Sequence, residues 1–564
     1  LPCRKSPLFF SKISENPMTM FPSEPASITH TSRRTALKLA ALGLAGLGTP
    51  LLAQGRRGFT HGVASGEPGA HRVLLWTRYF SGVETALHWQ VASDDQFAKI
   101  VAHGQTLASP NADCCAKAYV TGLAPGRWYH YRFIAPDGGK SVVGRTRTLP
   151  VGKVAKFRMA VFSCSNFGFG WFNAYAHAVE SGDFDLAVHL GDYYYEYKRG
   201  EYPSTKAALA ERVLPVSEAV TLAGYRERHA TYRADPDLQR LHQQLPMVLM
   251  WDDHESANDS YHDGAENHDA SEGDWAMRKA ASMRAYREWL PVSDHDWGSY
   301  EIGNLATLFK LESRLTARTK QLDLQAVAKS VPADQAEAAF ARFRDGAWRD
   351  PKHTLLGAAQ EGWLADALKA SVKARKPWQV VAQQIVMGSV AMGDDVIAGM
   401  PADTPGWLKD WLVASVQAGR AGVPLNMDAW DGYPAARDRL FKASLAADAN
   451  LVVLSGDSHN AWAFDLDRKG ARVGVEMAGT SVTSPGAESS IRWMKADELA
   501  RATVSRNPQL KWCDMAQRGY MAVELTPRSA TCEFRFLATV RQRSTALAGT
   551  KQMTVLAGQR MYSA

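Results

Sequence analysis

From residue 154 onward the sequence repeats one local pattern: a short, nearly continuous apolar run, a turn, and an Ala-rich stretch of helical character. The runs lie at 157–162, 186–190, 247–251, 378–381 and 451–454, with helical segments such as 172–179 and 275–289 between them. A strand with one wet face alternates apolar and polar residues, whereas a strand covered on both faces does not. The pattern therefore predicts an α/β domain over 154–545, layered with helices on the outside.

Four of these runs end in side chains that can bind metal. The first ends Ser163-Cys164-Ser165-Asn166 and the second Gly191-Asp192-Tyr193-Tyr194-Tyr195-Glu196. The third ends Asp252-Asp253-His254-Glu255 and the fourth Gly456-Asp457-Ser458-His459-Asn460. In open α/β sheets sites form beyond the carboxyl ends of strands, so residues far apart in sequence can converge at one edge. Taken singly, each motif has a plainer reading. Cys164 can be an inert buried thiol, His459 a hydrogen-bonded core histidine, and one of Tyr193, Tyr194 and Tyr195 a core aromatic. The run Asp252-Asp253-His254-Glu255 resists such a reading, because four titratable groups directly after an apolar strand are costly to bury unpaired. A following helix N-terminus would favour one carboxylate, not three. Whether Asp252 or Asp253 is the ligand stays open. Carboxylates suit calcium, magnesium or ferric iron, while a thiolate with an imidazole and a phenolate suits a higher-valent transition metal. Packed together without cations, Asp192, Asp252, Asp253 and Asp457 would repel and resist ionisation.

The segment before this domain differs in kind. Over 57–150 short aromatic and β-branched runs (72–78, 86–92, 128–134) are separated by Gly/Pro/Asp turns, which predicts a small β-sandwich domain. Further upstream, Arg33-Arg34 precedes an Ala/Gly/Leu-rich stretch that ends in small residues before Gln54. That order reads as a leader over 1–54 with a twin-arginine signal peptide. It implies the twin-arginine translocation machinery as a partner and a periplasmic or secreted location. The stretch is too short and Gly-rich for a spanning helix, and no membrane span is expected after it. The net charge of +7 hints at acidic partners, but residues 1–54 supply +4 of it. No long basic run remains, so a nucleic-acid interface is not expected. Of six cysteines, Cys3 lies in the leader. Cys513 and Cys532 could pair, Cys114 and Cys115 could find other partners, and the odd count leaves a free thiol, for which Cys164 is the candidate.

The blocks Gly191-Asp192-x-x-Tyr195, Trp251-Asp252-Asp253-His254-Glu255 and Gly456-Asp457-Ser458-His459 occur in the order and broad spacing of metallophosphoesterase motifs. They resemble those motifs as modified in the alkaline phosphatase D (PhoD-type) family. The opening Val63-Ala64-Ser65-Gly66-Glu67-Pro68, the segment 428–437 and Thr480-Ser481-Val482-Thr483-Ser484 resemble further blocks of that family, over about residues 58–540. The resemblance implies a four-layer α/β/β/α catalytic domain preceded by the sandwich, with ferric iron and calcium as cofactors. It implies Asp192 as a metal bridge, with Cys164, Tyr195 and His459 toward iron. It places Asp457, Asp253 and Asn258 toward calcium, and His254 and Asn166 near the phosphate as catalytic groups. There are two departures. Glu312-Ser313 precede Arg314 where the family has Asp and Thr, and Asp514 stands ahead of Arg518-Gly519-Tyr520 where Asn is common.

The resulting expectation is an exported phosphoesterase acting on small-molecule phosphate mono- or diesters by attack of a metal-activated hydroxide. The alternative is an exported iron-containing redox or metal-binding protein. Against that alternative, the chain has no Cys-rich cluster motif and no Cys-x-x-Cys-His, and its many carboxylates favour hydrolysis.

Overall fold

The computed structural model describes residues 57–563; the twin-arginine leader expected over 1–54 lies outside the described residues. Two large sheets carry the fold. The nine-stranded sheet runs Leu547–Leu556, Ser529–Leu537, Gly519–Leu525, Phe157–Phe162, Leu186–His189, Pro246–Leu249, Gly58–Gly66, Arg72–Phe80 and Cys115–Thr121. The seven-stranded sheet runs Gly298–Ile302, Ala306–Lys310, Trp378–Ala382, Leu451–Ser455, Ala471–Ala478, Ala461–Arg468 and Leu510–Asp514. The central strands of both are parallel, as their continuous apolar runs require.

Alternate residues of these strands belong to different cores. Met159, Val161, Val188 and Val248 of one sheet meet Leu308, Val380, Val452 and Val475 of the other. Between them Ala160, Phe162, Met247 and Leu249 point outward, against Tyr175, Tyr225 and Leu238 of the helices Asn173–Ser181, Leu222–Arg233 and Pro236–Gln244. On the other flank Phe309, Val381 and Val453 pack on Leu364, Leu412 and Leu440 of Gly357–Lys373, Gly406–Arg420 and Pro434–Ala446. The result is the expected α/β/β/α stack. Each buried Val, Leu or Phe in it contributes about 1.5–3 kcal/mol.

A four-stranded sheet, Ile100–Ala108, Thr85–Ala92, Trp128–Ile134 and Gly144–Arg147, completes a small sandwich ahead of this stack. Its Val91, Tyr131 and Phe133 pack on Val63, Val73, Leu75 and Val120. The second layer of the sandwich is not a sheet of its own, however. Gly58–Gly66 pairs in parallel with Pro246–Leu249, Ser65 opposite Pro246. The segment 57–150 therefore shares a sheet with the segment that follows it. At the other end, the expected limit of 545 falls short of Leu547–Leu556, which pairs along Ser529–Leu537.

All five described cysteines are free thiols. Cys513 and Cys532 do not pair because their side chains pack in different cores, Cys513 among the outer helices and Cys532 between the two sheets. Among the described residues no helix is long and apolar enough to cross a membrane.

Candidate metal centre

The strand ends converge as their positions in parallel sheets demand. The backbone reverses abruptly there, and four of the candidate ligands sit in the left-handed region: Cys164 at φ 58°, Asp192 at 52°, Asp457 at 62° and His459 at 59°. For residues with a β-carbon this costs on the order of 1–3 kcal/mol each, and such strain gathers at functional sites. Gly191 precedes Asp192 at φ 115°. A β-carbon there would lie 2.4 Å from Asp252 Cβ and 2.6 Å from its backbone nitrogen. The Gly191→Ala protein is expected to be destabilised by about 2–5 kcal/mol, read as a lowered midpoint in chemical denaturation.

Three donor sets result, each with ligand atoms within 4.8 Å of one another: Cys164, Asp192 and His459; Asp192, Asp253 and His254; Asp252, Asp253 and Asp457. Asp192 belongs to the first two and Asp253 to the last two. The Tyr195 hydroxyl lies 3.0 Å from Asp192 Oδ2 and 3.1 Å from His459 Nε2, and it accepts from Ser484 Oγ at 2.7 Å. One phenol proton cannot serve both Asp192 and His459. His459 Nδ1 lies 3.0 Å from the Pro485 carbonyl, so Nδ1 carries the proton and the Nε2 lone pair faces the set.

The electrostatics of the site call for cations. Asp192 Oδ1, Asp253 Oδ1 and Asp259 Oδ1 are buried without a hydrogen-bond partner. Burial, reinforced by neighbouring carboxylates, raises the Asp192 and Asp457 carboxyls well above their usual range. Asp252 is pushed up to about 7 by burial even though Arg314 opposes the shift. Burial and then Asp192 raise the Cys164 thiol, and the same two causes raise the Tyr195 phenol. Burial lowers His459 to about 3, leaving a neutral imidazole. Neutral imidazole, thiol, phenol and orphaned carboxylate oxygens are the donors that bound cations would satisfy, so the residues present fit a metal centre.

His254 is placed differently. Its Nδ1 is 2.8 Å from Glu196 Oε2, and its ring lies on Tyr195 with centroids 4.2 Å apart. Burial works against its charge, but Asp192, Asp253 and Glu196 outweigh it and hold the imidazolium well above the usual histidine range. Glu196, unremarked in the sequence beyond its place after Tyr195, also accepts from the Asn258 amide at 2.8 Å and Asn267 Nδ2 at 2.9 Å. Asn258 thereby lines the same cleft as Asp253 and His254. Asn166 does not. Its side chain accepts from Gly168 N at 3.0 Å and donates to the Tyr202 carbonyl at 3.3 Å, holding a local turn.

Two further charges join the site: Arg314, named in the sequence only as the arginine after Glu312-Ser313, and Arg318, which the sequence reading did not single out. The guanidinium of Arg314 is buried among Asp252, Asp428, Asp457 and Asp253, with Nη1 at 2.7 Å from Asp428 Oδ2 and Nη2 at 3.4 Å from Asp457 Oδ1. Arg318 adds a second buried pair to Asp428. Glu312, one of the departures noted above, builds the turn that presents Arg314. Its carboxylate accepts from the backbone of Arg314 at 2.9 Å and Leu315 at 2.7 Å, and from Trp251 Nε1 at 2.9 Å. Glu255 ties two strand ends together by accepting from the amides of Asp192 at 3.1 Å and Asp252 at 2.8 Å.

Comparison with known proteins shows the family and the fold. Residues 159–534 match the family described as PhoD-like phosphatase, and residues 48–150 match the PhoD-like phosphatase N-terminal domain. Alkaline phosphatase D of Bacillus subtilis (strain 168) is 31% identical over 516 residues, covering 87% of this chain and 79% of that protein. A solved structure of PhoD superposes with a TM-score of 0.74 at 30% identity, over 90% of this chain and 92% of that one.

Proposed function

Since the chain belongs to the PhoD-like phosphatase family and is a phosphoric ester hydrolase, we propose that it is an exported, metal-dependent enzyme for small-molecule phosphate mono- or diesters. The observation that carries the metal dependence is the shared position of Asp192, one of whose buried oxygens has no hydrogen-bond partner, in two adjoining donor sets. Cys164, Tyr195, His459 and Asp192 supply the softer set, suited to ferric iron; Asp192, Asp253, Asp457 and Asn258 supply oxygen donors suited to calcium. Cations held there supply charge neutralisation at the phosphoryl oxygens and a nucleophile at neutral pH.

The remaining work falls to the protein. His254 lines the cleft, and its hydrogen bond to Glu196, a carboxylate outside the donor sets, favours the protonated ring. His254 donates to a phosphoryl or leaving oxygen there, while Glu196 fixes the ring through Nδ1. Arg314 neutralises Asp252 and Asp428, so the acidic floor keeps its shape while the substrate exchanges. Family membership weighs against the redox alternative. Export by the twin-arginine route, which carries folded proteins, suits a chain that takes up its metals before leaving the cytoplasm.

The test is phosphate release from a panel of esters, run beside elemental analysis. Iron with calcium, and turnover that chelation abolishes, is the expected result; turnover by metal-free protein would overturn the proposal. The Cys164→Ser protein is expected to lose or shift a visible absorption band and most of its activity, checked by absorbance spectroscopy on protein of known iron content. An unchanged spectrum would remove Cys164 from the ligand set.

A further inference from the structure

The cleft that holds Asp192, Asp253, Asp457 and His459 is also lined by Val386, Val390, Leu425, Ala429 and Trp462. Nothing in phosphoryl transfer needs this hydrocarbon surface. It is nonetheless firmly built. The amides of Met387 and Gly388 donate to the buried Glu476 carboxylate at 2.7 and 2.6 Å. Val390 N donates to Asp431 Oδ2 at 3.2 Å, and Leu425 N donates to the Val390 carbonyl at 2.9 Å. Trp462 Nε1 donates to Ser458 Oγ at 2.7 Å, next to Asp457. Gly388 lets the loop lie on Phe464, where a β-carbon would come within 2.3 Å of the ring. These polar groups of the wall are engaged inside the protein, and Val386, Val390, Leu425, Ala429 and the Trp462 ring present hydrocarbon to a cleft that Tyr197, Tyr202, Asn426 and Ser458 also line.

A second hollow of about 40 Å³ shares Val390, Leu425, Asn460 and Trp462 with this cleft. Val396, Ile491, Leu499 and Met515 line it further, and its charged pair, Arg506 with Asp395, is joined at 3.1 Å. Its volume exceeds the roughly 10–15 Å³ that one water needs, and Val396, Ile491, Leu499 and Met515 give it hydrocarbon surface continuous with the wall.

Resting on the phosphoesterase reading, we propose that the alcohol portion of the substrate is apolar, lying over Val390, Leu425 and Trp462 and reaching into the second hollow while its phosphate sits at the carboxylates. Laid over Val390, Leu425 and the Trp462 ring, a polyhydroxylated alcohol such as a sugar or glycerol would bury hydroxyls against side chains that offer them no partner, a cost of about 1–3 kcal/mol per group. An alkyl or aryl alcohol incurs no such cost and gains from leaving water. The phosphate chemistry selects the bond to be cut, and the wall selects which esters reach it.

The experiment uses the metal-loaded protein and unbranched alkyl phosphates from methyl to hexyl, together with the matching methyl alkyl diesters. Their alcohols differ little in acidity, so the chemical step is held constant. The expected result is kcat/KM rising with each methylene, by up to about fourfold per buried group, then levelling once the hollow is filled. The gain should fall mainly in KM. Val390→Thr and Leu425→Asn keep the shapes of these side chains and add polarity; both are expected to flatten the hexyl-to-methyl ratio. That ratio is unaffected by a loss of folded or metal-loaded protein. A ratio near one in the parent protein, or one that survives both substitutions, overturns the proposal while leaving the phosphoesterase reading intact. Failure to cleave any ester in either series would instead overturn that reading.

Discussion

Replacing Asp192 with asparagine is expected to empty the site as well as silence it. Asp192 belongs to two of the three donor sets, and its Oδ1 is buried without a partner. Its Oδ2 accepts from the Tyr195 hydroxyl at 3.0 Å and lies 4.0 Å from His459 Nε2. An amide keeps the shape but presents one neutral oxygen and one NH2 where two anionic oxygens stood, so affinity drops in both sets at once. Turnover should fall by about a thousandfold or more, and metal per protein should fall with it. The measurement is elemental analysis beside turnover on the same preparation. A metal-replete Asp192→Asn protein would show that the carboxylate is not shared between cations.

His254→Ala is expected to behave in the opposite way, with metal retained and rate lost by about a hundredfold to ten-thousandfold. The ring is held by Glu196 through Nδ1 and by its contact with Tyr195, and it lines the cleft, so Nε2 is the nitrogen left for a substrate oxygen. If that oxygen is the leaving group, an ester with an acidic alcohol should lose less than one with a basic alcohol. Glu196→Gln should show a smaller loss with the same dependence on leaving group, because the ring keeps its place but loses the anion behind it. Since His254 also lies in one donor set, metal content is the deciding readout. A metal-free His254→Ala protein would make it a ligand rather than a proton donor.

The parts of the site that were legible in the sequence are those set by local structure. A continuous apolar run ends at a known point, so Cys164, Asp192, Asp253 and Asp457 could each be placed at a strand end; the expectation of a single sheet edge gave way to two sheets, with Asp457 following Leu451–Ser455 of the seven-stranded one. Arg314 could not. Its partners Asp252 and Asp428 are 62 and 114 residues away, and its own strand, Ala306–Lys310, was not recognised as one. The same signal was there to use, since Arg314 follows an apolar strand as the other site residues do. Glu196 was hidden because its role comes from His254 across 58 residues. Asn166 was placed near the phosphate by the family resemblance alone; in the structure the turn at Gly168 engages its side chain. The C-terminal strands were also missed. They are antiparallel and mix polar with apolar residues, as in Ser529–Leu537, so they lack the unbroken runs that marked the parallel core.

The pairing of Gly58–Gly66 with Pro246–Leu249 has a consequence for how the protein comes into being. A chain emerging from the ribosome presents its first strand with one hydrogen-bonding edge bare, and the partner for that edge lies roughly 180 residues downstream. At common synthesis rates the wait is on the order of ten seconds or more. Until then Ser65 and Gly66 offer an open template for strands of other chains. The early strands therefore cannot reach their final state as an independent unit. Completion of the sheet, and with it the loop that carries Asp252 and Asp253 just beyond that partner strand, is one late, long-range event.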